Sequence, residues 1–161
     1  MANKDSFSPQ EWETLEKSPF WVFTAVAAAD GNVDKKEQKA FKRALQNYTE
    51  FHNDLTREIL QSAGTSFDED ADYDLSKMED YLKNVNSILE SKVSAEDSLI
   101  FKKTMIAIGI HIGNSSGGIF SSKFSDEEVE ALKGVGMILG ITENQLSQSP
   151  SIKELINNMN K

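Results

Sequence analysis

Apolar residues recur along most of this chain at intervals of three and four positions, the spacing typical of amphipathic α-helices. One face of this kind carries Met78, Leu82, Val85 and Leu89. No segment alternates apolar and polar residues for long enough to indicate a β-strand. The pattern therefore predicts an all-α protein.

Helix-start signals divide this pattern into segments. Capping boxes, in which Ser or Thr precedes Glu or Gln by three positions, begin at Ser8, Ser76, Ser125 and Thr142. Ser18 precedes a proline, a residue favoured in the first turn of a helix, so we place another start there. We predict about eight helices and a short turn at 143–147. The helices lie near residues 9–17, 19–29, 35–47, 54–63, 77–90, 95–112, 126–139 and 151–159.

Two of these helices, 19–29 and 95–112, are apolar on nearly all sides, which is typical of helices at the centre of a fold. The segments that follow them, Asp34–Lys42 and Ser125–Lys133, share a cap, a Glu three positions later, then Ala, a large apolar residue and Lys. We therefore expect a single globular domain, residues 1–161, with a pseudo-twofold repeat of helical hairpins. Chance similarity between two amphipathic helices is the alternative.

The composition argues against several classes of protein. The chain has no cysteine, which excludes disulfides, thiolate metal sites and cysteine nucleophiles. A net charge of −9 argues against binding to nucleic acid and to anionic lipid. The longest apolar stretches are far shorter than the ~20 residues that span a bilayer, and the amino terminus lacks the apolar run of a signal peptide. We expect a cytoplasmic protein that does not insert into the membrane.

The segment Ala27–Glu37 is the most distinctive part of the chain, because an apolar helix stops at an Asp-Gly turn and a new helix starts almost at once. Its carboxylates Asp30, Asp34 and Glu37 match the second half of an EF-hand loop. The first half would offer no side-chain oxygen, so strong calcium binding is not expected. If a metal binds, hard oxygen ligands favour calcium, magnesium or manganese. In the simpler interpretation, Asp30 ends one helix and the other two carboxylates cap the next.

A second acidic segment, Phe67–Glu79, places carboxylates at calcium-loop positions one, three, five, seven and twelve. These are Asp68, Asp70, Asp72, Asp74 and Glu79. Tyr73 stands at position six, where the sharp turn requires a positive φ and almost always glycine. We therefore prefer an acidic surface loop that leads into a helix capped by Ser76. A calcium-binding module is the alternative.

Nothing in the sequence supports catalysis. His52 and His111 are the only histidines, and the second lies in an apolar helical pattern where a buried imidazole is expected. The chain contains neither a phosphate-binding loop of the correct form nor a serine elbow. We expect a protein that is not an enzyme.

The turn Ala27–Glu37, the apolar helix before it and the second copy of its helix start at Ser125–Glu128 resemble the signature of TerB-like tellurite-resistance proteins, an all-helical bacterial family. The resemblance implies a non-enzymatic protein of tellurite resistance and chemical-stress response that binds partners and weakly senses a divalent cation. The implied partners are a TerC-like membrane protein and TerD-like calcium-binding proteins. The protein would then lie in the cytoplasm or, through these partners, at the inner membrane. A longer loop at Gly113–Phe124 departs from a compact second turn and argues against a symmetric second site.

Overall fold

The structure, a computed structural model, describes residues 2–27, 41, 45, 53–65, 74–116, 126–142 and 144–145. Five α-helices are defined there, and every regular element in these ranges is helical, which confirms the all-α prediction for this part of the chain. The helices are α1 (Pro9–Ala27), α2 (Asp54–Thr65), α3 (Met78–Lys92), α4 (Ala95–Ser116) and α5 (Asp126–Ile138). Short 3-10 turns cover Lys4–Ser6 and Leu75–Lys77.

Helix α1 is continuous across Pro19, so the predicted division into helices 9–17 and 19–29 is wrong. Proline has no amide N–H, and the carbonyl of Leu15 therefore loses the donor that a helix normally supplies from four residues later. The hydroxyl of Ser18 donates to this carbonyl at 2.6 Å instead. Since the side chain replaces the missing donor, Ser18 maintains the helix where the sequence pattern indicated a cap.

Helix α1 lies at the centre of the fold, because it contacts each of the other four α-helices. Its closest partner is α4, where a Cβ atom on Gly109 would lie 3.4 Å from Val22 and 3.5 Å from Val26. Both valines are fully buried. The prediction that the two apolar helices pack together is thus confirmed for α1 and α4.

The predicted helix 35–47 is described only at Phe41 and Leu45, which are helical and buried. The ring of Phe41 stacks on Phe23 at a centroid distance of 4.7 Å and meets the edge of Phe20 at 5.5 Å. The rest of that helix, the helix at 151–159 and the cap at Ser125 lie outside the described residues. The count of eight helices, the repeat and the single-domain assignment therefore stay predictions.

The predicted helix starts have different outcomes. At the start of α1, the amide of Glu11 donates to Ser8 Oγ at 3.2 Å and the Glu11 carboxylate accepts from the Ser8 amide at 2.8 Å. The same reciprocal pair joins Thr142 and Gln145, at 3.1 and 3.0 Å. Both capping boxes are confirmed. The one at Ser76 is wrong, because α3 begins at Met78 without a side-chain cap.

Candidate functional site

Most of the predicted metal ligands lie outside the part of the chain that the structure describes. This holds for all three carboxylates of the signature turn, Asp30, Asp34 and Glu37, and for three of the five in the acidic loop, Asp68, Asp70 and Asp72. The imidazoles of both histidines also lie outside the described side chains. These metal-site assignments therefore stay predictions.

The two described carboxylates of the acidic loop already have partners. Asp74 accepts hydrogen bonds from the Ser76 amide at 3.0 Å and from its hydroxyl at 2.7 Å, and these bonds lower the pKa of the Asp74 carboxyl. Glu79 forms an ion pair with Lys83 at 2.8 Å, one turn along α3, which lowers the pKa of Glu79. Calcium binding by this loop would require Glu79 to leave Lys83. Among the described residues, no group of three or more His, Asp or Glu side chains could hold a metal ion.

The described part of the chain instead contains a groove of about 560 Å³ where the end of α3 meets the start of α4. We call it the Lys102 groove. Its walls include apolar, acidic and amide side chains as well as one lysine. The lining includes Glu90, Val93, Glu96, Leu99, Lys102 and Gln145.

Local capping positions the first turns of α4 along this groove. The chain leaves α3 at Val93 in an extended conformation, and Ser94 then accepts the amide of Asp97 on its hydroxyl at 3.2 Å. The side-chain amide of Asn53, just before α2, donates to the Asp97 carboxylate at 3.0 Å. This bond ties the start of α4 to the start of α2, so the α4 side of the groove is held from two directions.

The opposite side of the groove includes Gly140, whose φ of +76° determines the direction of the chain after α5. The amides of Gly140 and Ile141 donate to the carbonyls of Met137 and Gly136 at 3.1 and 2.9 Å. This is the Schellman arrangement, which requires the left-handed conformation that glycine adopts at low cost. It reverses the chain after α5 and leads it toward Gln145, which lines the groove.

Lys102 is the most unusual side chain of the groove. The residue is only 8% exposed, although its nitrogen still reaches solvent, and no hydrogen bond or ion pair joins the ammonium group to another residue of the described ranges. Burial lowers the pKa of Lys102, and the nearby charge of Glu90 offsets part of this effect. By contrast, Lys83 and Lys92 pair with Glu79 and Glu11.

None of the sites predicted from the sequence includes Lys102, although the sequence contains one signal for it. Together with Lys103 and Thr104, the residue stands between Phe101 and Met105, both of which are fully buried, in a helix whose other residues from Leu99 to Ile112 are mainly apolar. A lysine within such a segment must either reach solvent along its flexible stem or lose hydration. Chemically, an ammonium that lines a groove and has no ion-pair partner can attract and orient an anionic group.

Comparison with other proteins places the chain in a family, but the name of the matched relative states no activity. Neither the models of known protein families nor the solved structures include a match to this chain. Among curated proteins, the chain is 31% identical over 137 residues to the uncharacterized protein ORF11′ of Methanothermobacter thermautotrophicus, an archaeon. The alignment covers 83% of this chain and 89% of that protein. At this identity and coverage, the chain belongs to the family of that archaeal protein.

Proposed function

We propose that this protein is a non-enzymatic chemical-stress-response protein of the TerB-like tellurite-resistance kind, which acts by binding another protein. The observation that carries the proposal is Met137 on α5, whose side chain is 78% exposed. The helix it belongs to begins within the second copy of the start pattern on which the TerB-like resemblance depends. The proposed contact surface and the resemblance thus concern the same element.

The two faces of α5 differ sharply in burial. Val135 on this helix and Leu139 just after its end are fully buried, so this face packs on the core. Glu130, Lys133 and Met137 lie at intervals of three and four on the outer face and are exposed. Methionine is flexible and polarizable, and it is common on surfaces that adapt to a partner. A partner that covers Met137 would remove its apolar side chain from water.

The charges beside Met137 can also take part in binding. Lys133 and Glu130 form an ion pair at 3.7 Å, and both side chains are more than half exposed. A pair of this kind contributes little to stability and can exchange its partners at low cost. The outer face of α5 therefore offers one apolar side chain and one charge of each sign.

Three of the described carboxylates have structural roles, which supports a non-enzymatic role for these groups. Glu11 belongs to the capping box of α1 and also pairs with Lys92 at 2.6 Å. Asp74 caps a turn, and Glu79 pairs with Lys83. These carboxylates are committed to the fold, whereas a general acid or base must be free to reach a substrate.

The partners that we propose are those implied by the resemblance: a TerC-like membrane protein and TerD-like calcium-binding proteins. The structure contains no helix long and apolar enough to cross a bilayer within its described ranges. We propose a cytoplasmic location, with recruitment to the inner membrane through the TerC-like partner.

Binding to a purified TerD-like protein tests this function, with calcium present and with calcium removed. We expect calorimetry to detect binding to the full chain, and Met137→Lys to weaken it by about tenfold or more, as for an apolar residue inside an interface. Leu75→Lys is the matched control, because Leu75 is also exposed, at 44%, but lies in the turn before α3. The proposal is wrong if the wild-type chain binds the TerD-like protein neither with nor without calcium, or if both variants weaken binding equally.

A further inference from the structure

The Lys102 groove contains an ammonium group that forms no direct ion pair within the described ranges, although the charge of Glu90 acts on it. Lys102 is more than nine-tenths buried and has no ion-pair or hydrogen-bond partner in the described ranges. A buried lysine normally pairs with an acid or loses its proton, because the charged form is poorly solvated. A bound anion would supply the missing partner.

The volume and the walls of the groove fit a small organic molecule. Pockets for such ligands usually measure about 300–1,000 Å³, and this groove measures about 560 Å³. Val93 is buried and Leu99 is half-buried in its wall, so an apolar body can pack beside the ammonium. The ligand class should therefore combine an apolar body with an acidic group.

The surrounding charges limit how acidic that group can be. Glu90 and Glu96 also line the groove, so two carboxylates accompany the single ammonium of Lys102. A dianion such as a phosphate monoester would gain one favourable contact and meet two like charges. A monoanion loses less to this repulsion, and the groove should prefer it.

We propose that the Lys102 groove binds a small monocarboxylate with an apolar body, whose carboxylate pairs with the Lys102 ammonium while its apolar part packs on Val93 and Leu99. This site is separate from the outer face of α5, and it does not depend on the proposed partner binding. It gives the chain a second way to respond to its chemical environment, through an organic acid.

Titration of the full chain with octanoate tests the site, with octan-1-ol and octyl phosphate as comparison probes. We expect octanoate to shift the backbone amide resonances of Ser98, Leu99 and Gln145 in NMR spectra. Lys102→Met should weaken octanoate binding by about ten- to a hundredfold, the loss expected for one charge-assisted hydrogen bond. Lys103→Met is the matched control, since this neighbouring lysine is absent from the groove lining, and it should leave the affinity unchanged.

A second variant acts in the opposite direction and does not touch the lysine. Glu96→Gln removes a like charge from an exposed position and should strengthen octanoate binding severalfold. The proposal is overturned if octan-1-ol binds as tightly as octanoate, if Lys102→Met and Lys103→Met behave alike, or if octanoate shifts none of the three amides. Tighter binding of octyl phosphate would overturn the preference for a monoanion.

Discussion

A Cβ atom added to Gly109 of α4 would overlap the Cδ2 methyl group of Leu132 on α5. The same hypothetical atom would lie 3.4 Å from Val22 on α1. Three helices therefore approach each other at this glycine, and its missing side chain allows the apolar centre of the fold to close. The close approach of Gly109 to Val22 and Leu132 joins segments that are far apart in sequence. The apolar pattern around Gly109 therefore does not predict it.

Gly109→Ala should consequently destabilise the protein, even though alanine favours helices. The added methyl group must displace the terminal methyl of Leu132, a half-buried side chain, and must also fit beside the fully buried Val22. Overpacking typically costs about 1–3 kcal/mol, and we expect the lower end here because the Leu132 side chain can rotate. Gly134→Ala on α5 is the control, because a Cβ there would meet no atom within 4 Å. This variant should instead gain up to about 1 kcal/mol from helix propensity. Urea unfolding measures both, and equal effects of the two variants would contradict the close approach.

Ser18→Ala should remove the donor that maintains α1 across Pro19. The Leu15 carbonyl would lose its hydroxyl partner inside the core, at a cost of about 1–3 kcal/mol in the free energy of unfolding. In a Pro19→Ala background, the restored amide can donate to Leu15, so the same serine substitution should cost much less. Chemical denaturation of the wild type, Ser18→Ala, Pro19→Ala and the double variant gives the free energies of unfolding for this comparison. Equal costs in both backgrounds would show that the hydroxyl does not replace the amide.

Lys102→Met should stabilise the protein at neutral pH by about 1 kcal/mol, because it removes a charge that burial of the side chain disfavours and keeps the length of the side chain. The pKa of Lys102 is lowered by burial, so the folded state holds this proton less tightly than the unfolded state. In the wild type, stability should therefore rise with pH between the lowered pKa and the unfolded value near ~10.4. Lys103→Met, at a half-buried position, should change little. Thermal unfolding across this pH range measures the difference, and a loss of stability in Lys102→Met would contradict the prediction.

Glu11 should titrate below the usual range of a glutamate. The hydrogen bond from Lys92 is the main cause of its lowered pKa, and the Ser8 amide adds to it. The stability that Glu11 contributes should be present above the unfolded pKa of about 4.3, and should be lost as the pH falls through the lower folded pKa. Lys92→Met should raise the Glu11 midpoint in a carboxyl NMR titration.

Lys17→Met is the control for that titration, since Lys17 pairs with Glu13 and lowers the pKa of that residue. It should move the midpoint of Glu13 and leave that of Glu11 in place. If Lys92→Met leaves Glu11 unchanged, the ion pair between α1 and α3 does not control this carboxyl group.

The metal site predicted in the segment Ala27–Glu37 can be tested with one variant. Asp34→Asn should leave stability nearly unchanged, because asparagine caps helices about as well as aspartate. Loss of the charge should abolish cation binding if Asp30, Asp34 and Glu37 form a site for calcium, magnesium or manganese. Calorimetry with each metal gives the answer. An identical response of wild type and variant would make the turn purely structural.

The sequence by itself determined the features that depend on neighbours within a few positions. The helical spacing, the capping boxes at Ser8 and Thr142 and the apolar character of α1 and α4 are local, because helical hydrogen bonds and caps join residues three or four apart. At Ser18, the local pattern does not decide the outcome. A serine before a proline can start a helix or maintain one, and the choice here is made inside a core where Ser18 is fully buried.

Only the tertiary structure decided the properties that depend on distant segments. The role of Gly109 requires α1 and α5 to lie beside α4, and the groove at Lys102 requires Glu90 and Gln145 to lie on its other sides. Whether a lysine in an apolar helix is solvated depends on which helices cover it, and the helix pattern holds no such information. Helix positions are thus set by local hydrogen bonding and spacing, whereas the candidate site arises from burial that only the packed helices create.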